Sequence, residues 1–333
     1  MKLASLASSS RDGQLVVVSK DGTRAASAQN ISPSLICLLE NWQSLSPALD
    51  RLYQSLNRGE VAEAFPFQPQ LATAPLPRAP QWCDGSAFIN HARLMETAFH
   101  TPPIADLDTI PLMYQGASDD FLGPHQNIAL PDEAHGIDFE GEFGVVLDEV
   151  PLGCPVDQAL SYVRLIVQIN DVSLRHFGPR EMKTGFGFFQ AKPSSSFAPL
   201  AITPGELGSA WRDGRVALPL QVHWNEVWFG NPNGAEMSFG FQHLIAHAAA
   251  TRKLSAGTII GSGTVSNIER SAGSACIAER RALEMIEHGA ISTQFMRFGD
   301  RVRMEVRDAA DQLIFGAIDQ RVVKCPDLRR RKL

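Results

Sequence analysis

From residue 80 onward the chain reads mostly as short runs of strand-forming residues, each stopped by Gly, Pro, Asn or Asp within a few positions. Runs this short cannot support long helices and must bury their apolar face by pairing. The best candidates are residues 143–147, 165–169, 217–224, 258–261, 291–298, 301–306 and 313–318. Helical periodicity is confined to about residues 89–98, 156–162 and 241–251. Many short strands joined by long loops predict an α+β, mostly β fold of the folded β-roll or barrel kind.

The first 80 residues read differently. Residues 2–30 look like hairpin material, with Leu15-Val16-Val17-Val18 as a strand and Lys20-Asp21-Gly22-Thr23 as a turn. Ser32-Pro33 resembles a helix start, with Ser32 as cap and Pro33 in the first helical position. Leu35, Leu38, Leu39 and Trp42 then fall at helical spacing, and a second helical stretch covers about residues 48–59. Next comes a segment with Pro66, Pro69, Pro75, Pro77 and Pro80, which favours extended backbone. The expected division is a small N-terminal α/β domain, residues 1–72, a proline-rich linker, and a main domain, residues 73–333.

Bulk properties exclude several classes. The formal net charge of -6 leaves no broad basic face for a phosphate backbone, so no nucleic-acid partner is expected. The one basic cluster, Arg329, Arg330, Arg331 and Lys332, reads as a solvated end. The five cysteines are scattered with no CxxC pair, which suggests neither a zinc site nor a disulfide framework. No apolar stretch approaches the roughly 20 residues of a spanning helix. A cytoplasmic protein without a membrane partner is the default expectation.

Acidic residues carry the chemistry. In Asp138-Phe139-Glu140-Gly141-Glu142-Phe143 the two glutamates are two apart, so on a strand both carboxylates share one face. Like charges there repel, and a hard divalent cation with oxygen ligands would relieve them. A solvated strand face with incidental glutamates is the simpler alternative. Asp171 ends the apolar run Leu165-Ile166-Val167-Gln168-Ile169-Asn170, a place where sites are often built. It can equally start a turn or cap a helix. His91 begins an amphipathic stretch and fits a structural role as well as a chemical one. His243 and His247 are four apart with no acid between them, which favours packing over a metal pair. Gly261-Ser262-Gly263-Thr264 lacks the Lys of a phosphate loop and the third Gly of a dinucleotide fingerprint.

Taken together, these segments resemble the fumarylacetoacetate hydrolase family over roughly residues 80–320. The D-x-E-x-E form of that family fits Asp138 to Glu142. Its N-D-x-S-x-R motif fits Asn170-Asp171-Val172-Ser173-Leu174-Arg175 position by position. Asp84 lies seven residues before His91, as the fourth carboxylate of the family lies before its active-site histidine. Ala191-Lys192-Pro193-Ser194-Ser195-Ser196 is similar to a substrate-contacting stretch, and Gly257-Thr258 through Ser266 to a late G-T signature.

The resemblance implies a mixed β-roll or barrel and one divalent cation held by Asp84, Glu140, Glu142 and Asp171, with Mg²⁺ first and Ca²⁺ or Mn²⁺ compatible. It implies catalytic roles for His91, Glu279, Arg175 and Lys192, and substrate contacts from Tyr114, Ser196, Gly263, Thr264 and Ser86. It places Ser86 where the long, two-domain branch of the family has a tyrosine, and Gly178 where that branch has a glutamine, so the substrate differs more readily than the reaction type. The implied activity is cleavage of a C–C bond in a β-diketo acid such as fumarylacetoacetate or an acylpyruvate, by a homodimer acting on a small keto acid. Oxaloacetate decarboxylation and dienoate hydration or isomerisation are alternatives on the same site, and non-catalytic ligand binding is another.

Overall fold

The computed structural model of the chain describes residues 1–326, so the basic tail from Arg329 to Lys332 lies outside the described residues. Helix and strand take similar shares, about 27% and 29%. Two sheets dominate. The larger has eleven strands, running Phe65–Pro66, Arg24–Ser27, Gln14–Val18, Lys2–Leu6, Ala201–Ile202, Val163–Asn170, Gly141–Leu147, Ile259–Gly261, Trp82–Gly85 and Met113–Gly116, with Ser196–Phe197 beside Val163–Asn170. The smaller runs Val227–Gly230, Leu220–Trp224, Arg301–Arg307, Leu313–Lys324 and Ile128–Leu130. Both sheets are open, so the expected barrel does not close among the described residues.

The strand Gly141–Leu147 is buried at every position. Its alternate residues feed two different cores, which is the signature of a strand covered on both faces. Phe143, Val145 and Leu147 join Leu220, Val222, Val302, Met304 and Phe315 between the two sheets. Val146 joins Leu165, Val167, Ile169, Trp82 and Ile259 on the other face, with Leu35, Leu38, Leu39, Leu49 and Leu56. Those leucines come from the helices Leu35–Glu40 and Trp42–Arg58, so the N-terminal helices cover one face of the large sheet.

The N-terminal region is therefore stitched to the rest. Lys2–Leu6 pairs with Ala201–Ile202, making one continuous sheet. The proline-rich segment does not hang free as a linker: Phe65–Pro66 pairs with Arg24 and Ala25, Thr73 N–H donates to Ser5 O at 2.9 Å, and Ser5 Oγ donates to Pro75 O at 2.6 Å. Extended backbone suits this lateral pairing, so the prolines describe a strap along the sheet edge.

Local expectations are corrected at three places. The helix cap is Ser34, whose hydroxyl accepts from Cys37 N, and Pro33 precedes it. The second helix begins earlier, at Trp42, and carries Pro47 one turn in. The expected strand at 291–298 is absent, and a helix the periodicity did not suggest, Ile277–His288, lies just before it. Asn225 and Glu226 form a tight hairpin turn between their two strands, both with positive φ.

Candidate metal and active site

Three strands of the large sheet carry a carboxylate on the face that packs against the N-terminal helices. Trp82 leads to Asp84, Ile169 to Asp171, and Glu142 precedes Gly144 and Val146 on the same face. Period-two alternation therefore aims all three the same way. The lane between them is kept open by glycine. A Cβ at Gly261, which pairs with both Asp84 and Gly144, would lie 2.3 Å from Asp84 Oδ1. Gly263 then turns with φ +74, where a Cβ would meet Gly85 O at 2.4 Å, and its N–H donates to Asp84 Oδ1 at 3.2 Å.

Glu140 completes the group. Asp84, Glu140, Glu142 and Asp171 are all buried, and each offers an oxygen within 4.8 Å of the others. Tyr114 OH donates to Asp171 Oδ2 at 2.6 Å and Ser195 Oγ to Asp171 Oδ1 at 2.7 Å. Lys192 Nζ reaches Asp171 Oδ2 at 2.5 Å, Ser173 Oγ at 2.9 Å and Glu140 Oε2 at 3.2 Å. Both oxygens of Glu142 are buried without any hydrogen-bond partner.

That orphaned carboxylate tests whether a cation fits. Five buried carboxylates, counting Asp138, face only Arg175 and Lys192 here. Desolvation, and then the neighbouring carboxylates, push Asp84 and Glu142 well above the usual carboxylate range. Desolvation also opposes ionisation of Glu140, but Lys192 and Arg175 outweigh it and hold that group low. An all-oxygen set short of positive charge is the donor chemistry that a hard divalent cation takes. Burial lifts Tyr114 as well, keeping its hydroxyl a proton donor.

Beside the cluster, His91 Nδ1 lies 2.8 Å from Glu279 Oε2, with the glutamate 1% exposed and the histidine 16%. His91 sits in the first turn of Ile89–Phe99 and Glu279 in the first turn of Ile277–His288, so two packed helices bring them together. Arg175 bridges two acids, with Nε on Asp138 Oδ2 at 2.8 Å and a terminal nitrogen 2.5 Å from Glu140 Oε1. Thr264 follows Gly263 in the same turn, and Ser86 lies against Gly263, donating its N–H to Leu112.

The structure thus gathers Asp84, Glu140, Glu142, Asp171, His91, Glu279, Arg175, Lys192, Tyr114, Gly263, Thr264 and Ser86 in one region. Ser196 is placed otherwise. It pairs with Asn170, whose side chain lies on the opposite face from Asp171, and its buried hydroxyl has no partner. Its neighbour Ser195 makes the contact with Asp171. Sequence reasoning missed Ser195, Ser173 and Asp138. A serine run of three gives no register by itself, whereas the Ser of N-D-x-S was visible in the motif. His243 packs beside Phe239 away from the acids.

A family model described as fumarylacetoacetate (FAA) hydrolase C-terminal matches residues 81–323, and one described as fumarylacetoacetase N-terminal domain 2 matches residues 1–78. A 2,4-didehydro-3-deoxy-L-rhamnonate hydrolase from Sphingomonas sp. (strain SKA58) is 29% identical over 161 residues, 47% of this chain. The match spans 54% of that protein, about half its length. The mitochondrial oxaloacetate tautomerase Fahd2a of Rattus norvegicus is 26% identical over 235 residues, 66% of this chain and 71% of that protein. The crystal structure of maleylpyruvate hydrolase from Sphingobium sp. SYK-6 in complex with manganese (II) ion and pyruvate superimposes with a TM-score of 0.62 at 17% identity, covering 98% of this chain and all of that one. At that identity the likeness establishes the fold. Among the described residues no helix is long and apolar enough to cross a membrane.

Proposed function

Since the chain belongs to the fumarylacetoacetate hydrolase family, we propose that it is a metal-dependent hydrolase cleaving a C–C bond in a β-diketo acid such as fumarylacetoacetate or an acylpyruvate, in the catabolism of aromatic compounds. The observation that carries the reading is the His91–Glu279 pair beside the carboxylate cluster. Hydrolysis needs a base for water, and decarboxylation or tautomerisation of a keto acid does not need one paired in this way.

Asp84, Glu140, Glu142 and Asp171 would hold one divalent cation, with Mg²⁺ proposed first and Mn²⁺ or Ca²⁺ compatible with the same oxygens. When bound, such an ion polarises carbonyl oxygens and offsets negative charge that develops on them. The remaining work belongs to the chain. Glu279 faces His91 Nδ1, which fixes the tautomer with a proton there and leaves Nε2 free to accept one from water. The water oxygen adds to the substrate carbonyl carbon, the C–C bond on that carbon breaks, and the departing carbon takes a proton. Water is divided between an acid and a ketone. Arg175 and Lys192 bind the substrate carboxylate, Arg175 with the planar fork that grips two oxygens. Tyr114 holds Asp171 in place, and Tyr114 and Thr264 offer hydroxyls to the substrate.

The test is an absorbance assay with and without Mg²⁺ on fumarylacetoacetate, acylpyruvates and oxaloacetate. His91→Ala should lose turnover by on the order of 10²–10⁴-fold while binding Mn²⁺ as tightly as the parent protein. Full turnover in that variant sinks the water-activation role, and silence of the parent on the whole panel sinks the hydrolase reading. Loss of oxaloacetate signal alone would favour the tautomerase or decarboxylase alternative, which the name of the Rattus relative raises. A cytoplasmic homodimer, and the division into a small N-terminal domain, residues 1–72, and a catalytic domain, residues 73–333, belong to the same proposal. Light scattering checks the dimer.

A further inference from the structure

Asp138 is the one acid of the Asp138-Phe139-Glu140-Gly141-Glu142 motif for which the reading above has no use. It sits on a short strand, Ile137–Asp138, paired with Ser173–Leu174, and it is completely buried. The chain is irregular at Phe139 and Glu140, so Asp138 does not share the face of Glu142. Its Oδ1 accepts the Ile277 N–H at 2.7 Å and its Oδ2 the Ala278 N–H at 2.9 Å. Those are the first two residues of the helix whose third residue is Glu279. The same Oδ2 accepts from Arg175 Nε at 2.8 Å.

A free helix start leaves such N–H groups unpaired, and the residue that caps this one is Cys276, whose sulfur accepts from Glu279 N at 3.3 Å. A thiol is a weak acceptor, so the carboxylate does most of the anchoring. One side chain therefore fixes the origin of the helix that aims Glu279 at His91, and also the angle of the guanidinium that reaches Glu140.

We propose that Asp138 is a positioning residue that locks the substrate-gripping Arg175 and the Glu279–His91 pair into one register, so that substrate seating and water activation are aligned together. The inference rests on the hydrolase reading. It deepens that reading by assigning the motif's first acid to alignment and not to the cation.

The test compares the parent with Asp138→Asn, which keeps the shape but removes the charge and one good acceptor. Expected are a raised KM together with a lowered kcat, each by on the order of tenfold, because misplacement of about 1 Å at a reacting centre costs up to about a hundredfold. Mn²⁺ affinity, measured by calorimetry, should stay within a factor of about two, since the cluster residues are untouched. Combining Asp138→Asn with Glu279→Gln should cost less than the product of the single losses, because both act through the same base. Should Asp138→Asn fold poorly, the added change Cys276→Ser supplies a stronger helix cap. That double variant should recover solubility and kcat but keep the raised KM, as Arg175 still lacks its anchor. Kinetics unchanged from the parent, losses that multiply fully with Glu279→Gln, or Mn²⁺ affinity falling in step with activity would each overturn the proposal. If the parent turns over none of the panel, the hydrolase reading fails. Positioning is then judged from pyruvate affinity of the Mn²⁺-loaded proteins, which Asp138→Asn should weaken about tenfold through Arg175 and which an idle Asp138 would leave alone.

Discussion

Asp138 and Glu142 lie four residues apart and are equally buried, and burial lifts both above the usual carboxylate range, but their surroundings differ. Asp138 accepts two backbone N–H groups and a guanidinium. Glu142 has no partner for either oxygen and stands among three other carboxylates. One acid is complete within the chain. The other is complete only with something the chain does not supply. The first is held by hydrogen bonds from the chain; the second has none and is pushed up by burial and by its neighbours, a strain that positive charge at the site would relieve. The difference separates an acid that builds the site from acids that form it, although all belong to one short motif.

The largest effect should come from breaking the complete nest. Asp138→Ala strips one of two acid partners from partly buried Arg175 and leaves two helix N–H groups unpaired, and removing one member of a buried pair typically costs about 3–5 kcal/mol. Urea unfolding should record that loss whether or not metal is present. A midpoint within error of the parent would mean that Glu140 alone satisfies Arg175 and that the contrast drawn above is false.

Glu142→Gln should do the opposite in the metal-free protein. It removes charge from a crowded cluster without creating a cavity, so the melting temperature without metal should hold or rise. Mn²⁺ affinity should fall by about a hundredfold or more, which at 25 °C is about 2.7 kcal/mol of lost linkage. The thermal shift on adding Mn²⁺ should then shrink toward zero. If chelator and Glu142→Gln both leave melting unchanged in the parent background, the cluster is not a metal site.

Much of this was legible in the sequence, and the limits have physical causes. The alternation in Gly141–Leu147 and the apolar run of Val163–Asn170 dictate strands buried on both faces, and a carboxylate two residues past a core position must share that position's face. Spacing alone did not bring Asp84 into the group, because it lies on another strand and depends on a pairing set by the fold. The helix Ile277–His288 escaped because five of its twelve residues are the charged Glu279, Arg280, Arg281, Glu284 and Glu287, although Ala278, Ala282 and Met285 keep helical spacing and Gly289 closes it. The strand expected at 291–298 fails for a traceable reason: Glu284 captures the N–H groups of Ser292 and Thr293 that a ladder would need. Asp138 looked like its glutamate neighbours because a motif shows residue types and hides the break in the strand that turns one of them aside.

Gly261 sharpens the contrast from the side of the backbone. Gly261→Ala would place a methyl group 2.3 Å from Asp84 Oδ1 and 2.4 Å from the Trp82 ring. Overpacking of this kind usually costs about 1–3 kcal/mol. The displaced Asp84 should also weaken Mn²⁺ binding, measured by calorimetry, while Asp138 and the helix it anchors stay as they are. Unchanged affinity would show that the lane between the strands is wider than the glycine implies.

The smallest effect tests whether satisfaction of a carboxylate, wherever it lies, sets its contribution. Glu284 is on the same helix as Glu279 but outside the site, and no cation pairs with it. Its oxygens accept from Ser292 N and Oγ at 2.8 Å each, from Thr293 N at 2.9 Å and from Thr293 Oγ1 at 2.5 Å. Partial desolvation pushes the group up, but the bonds from Thr293 and Ser292 prevail and hold it at about 2. A carboxyl lowered in the folded state stabilises fully above its unfolded value near 4.5 and loses that contribution as pH falls through about 2. Glu284→Gln should therefore be less stable than the parent at pH 7, by about 1 kcal/mol at most because the group is only partly buried. The gap should close as pH is lowered from 4.5 toward 2, because the parent's carboxylate is then protonated too. Urea midpoints at a series of pH values read that gap directly. A gap that is constant with pH would mean that the bonds to Ser292 and Thr293 do not depend on charge, and that Glu284 resembles neither Asp138 nor Glu142.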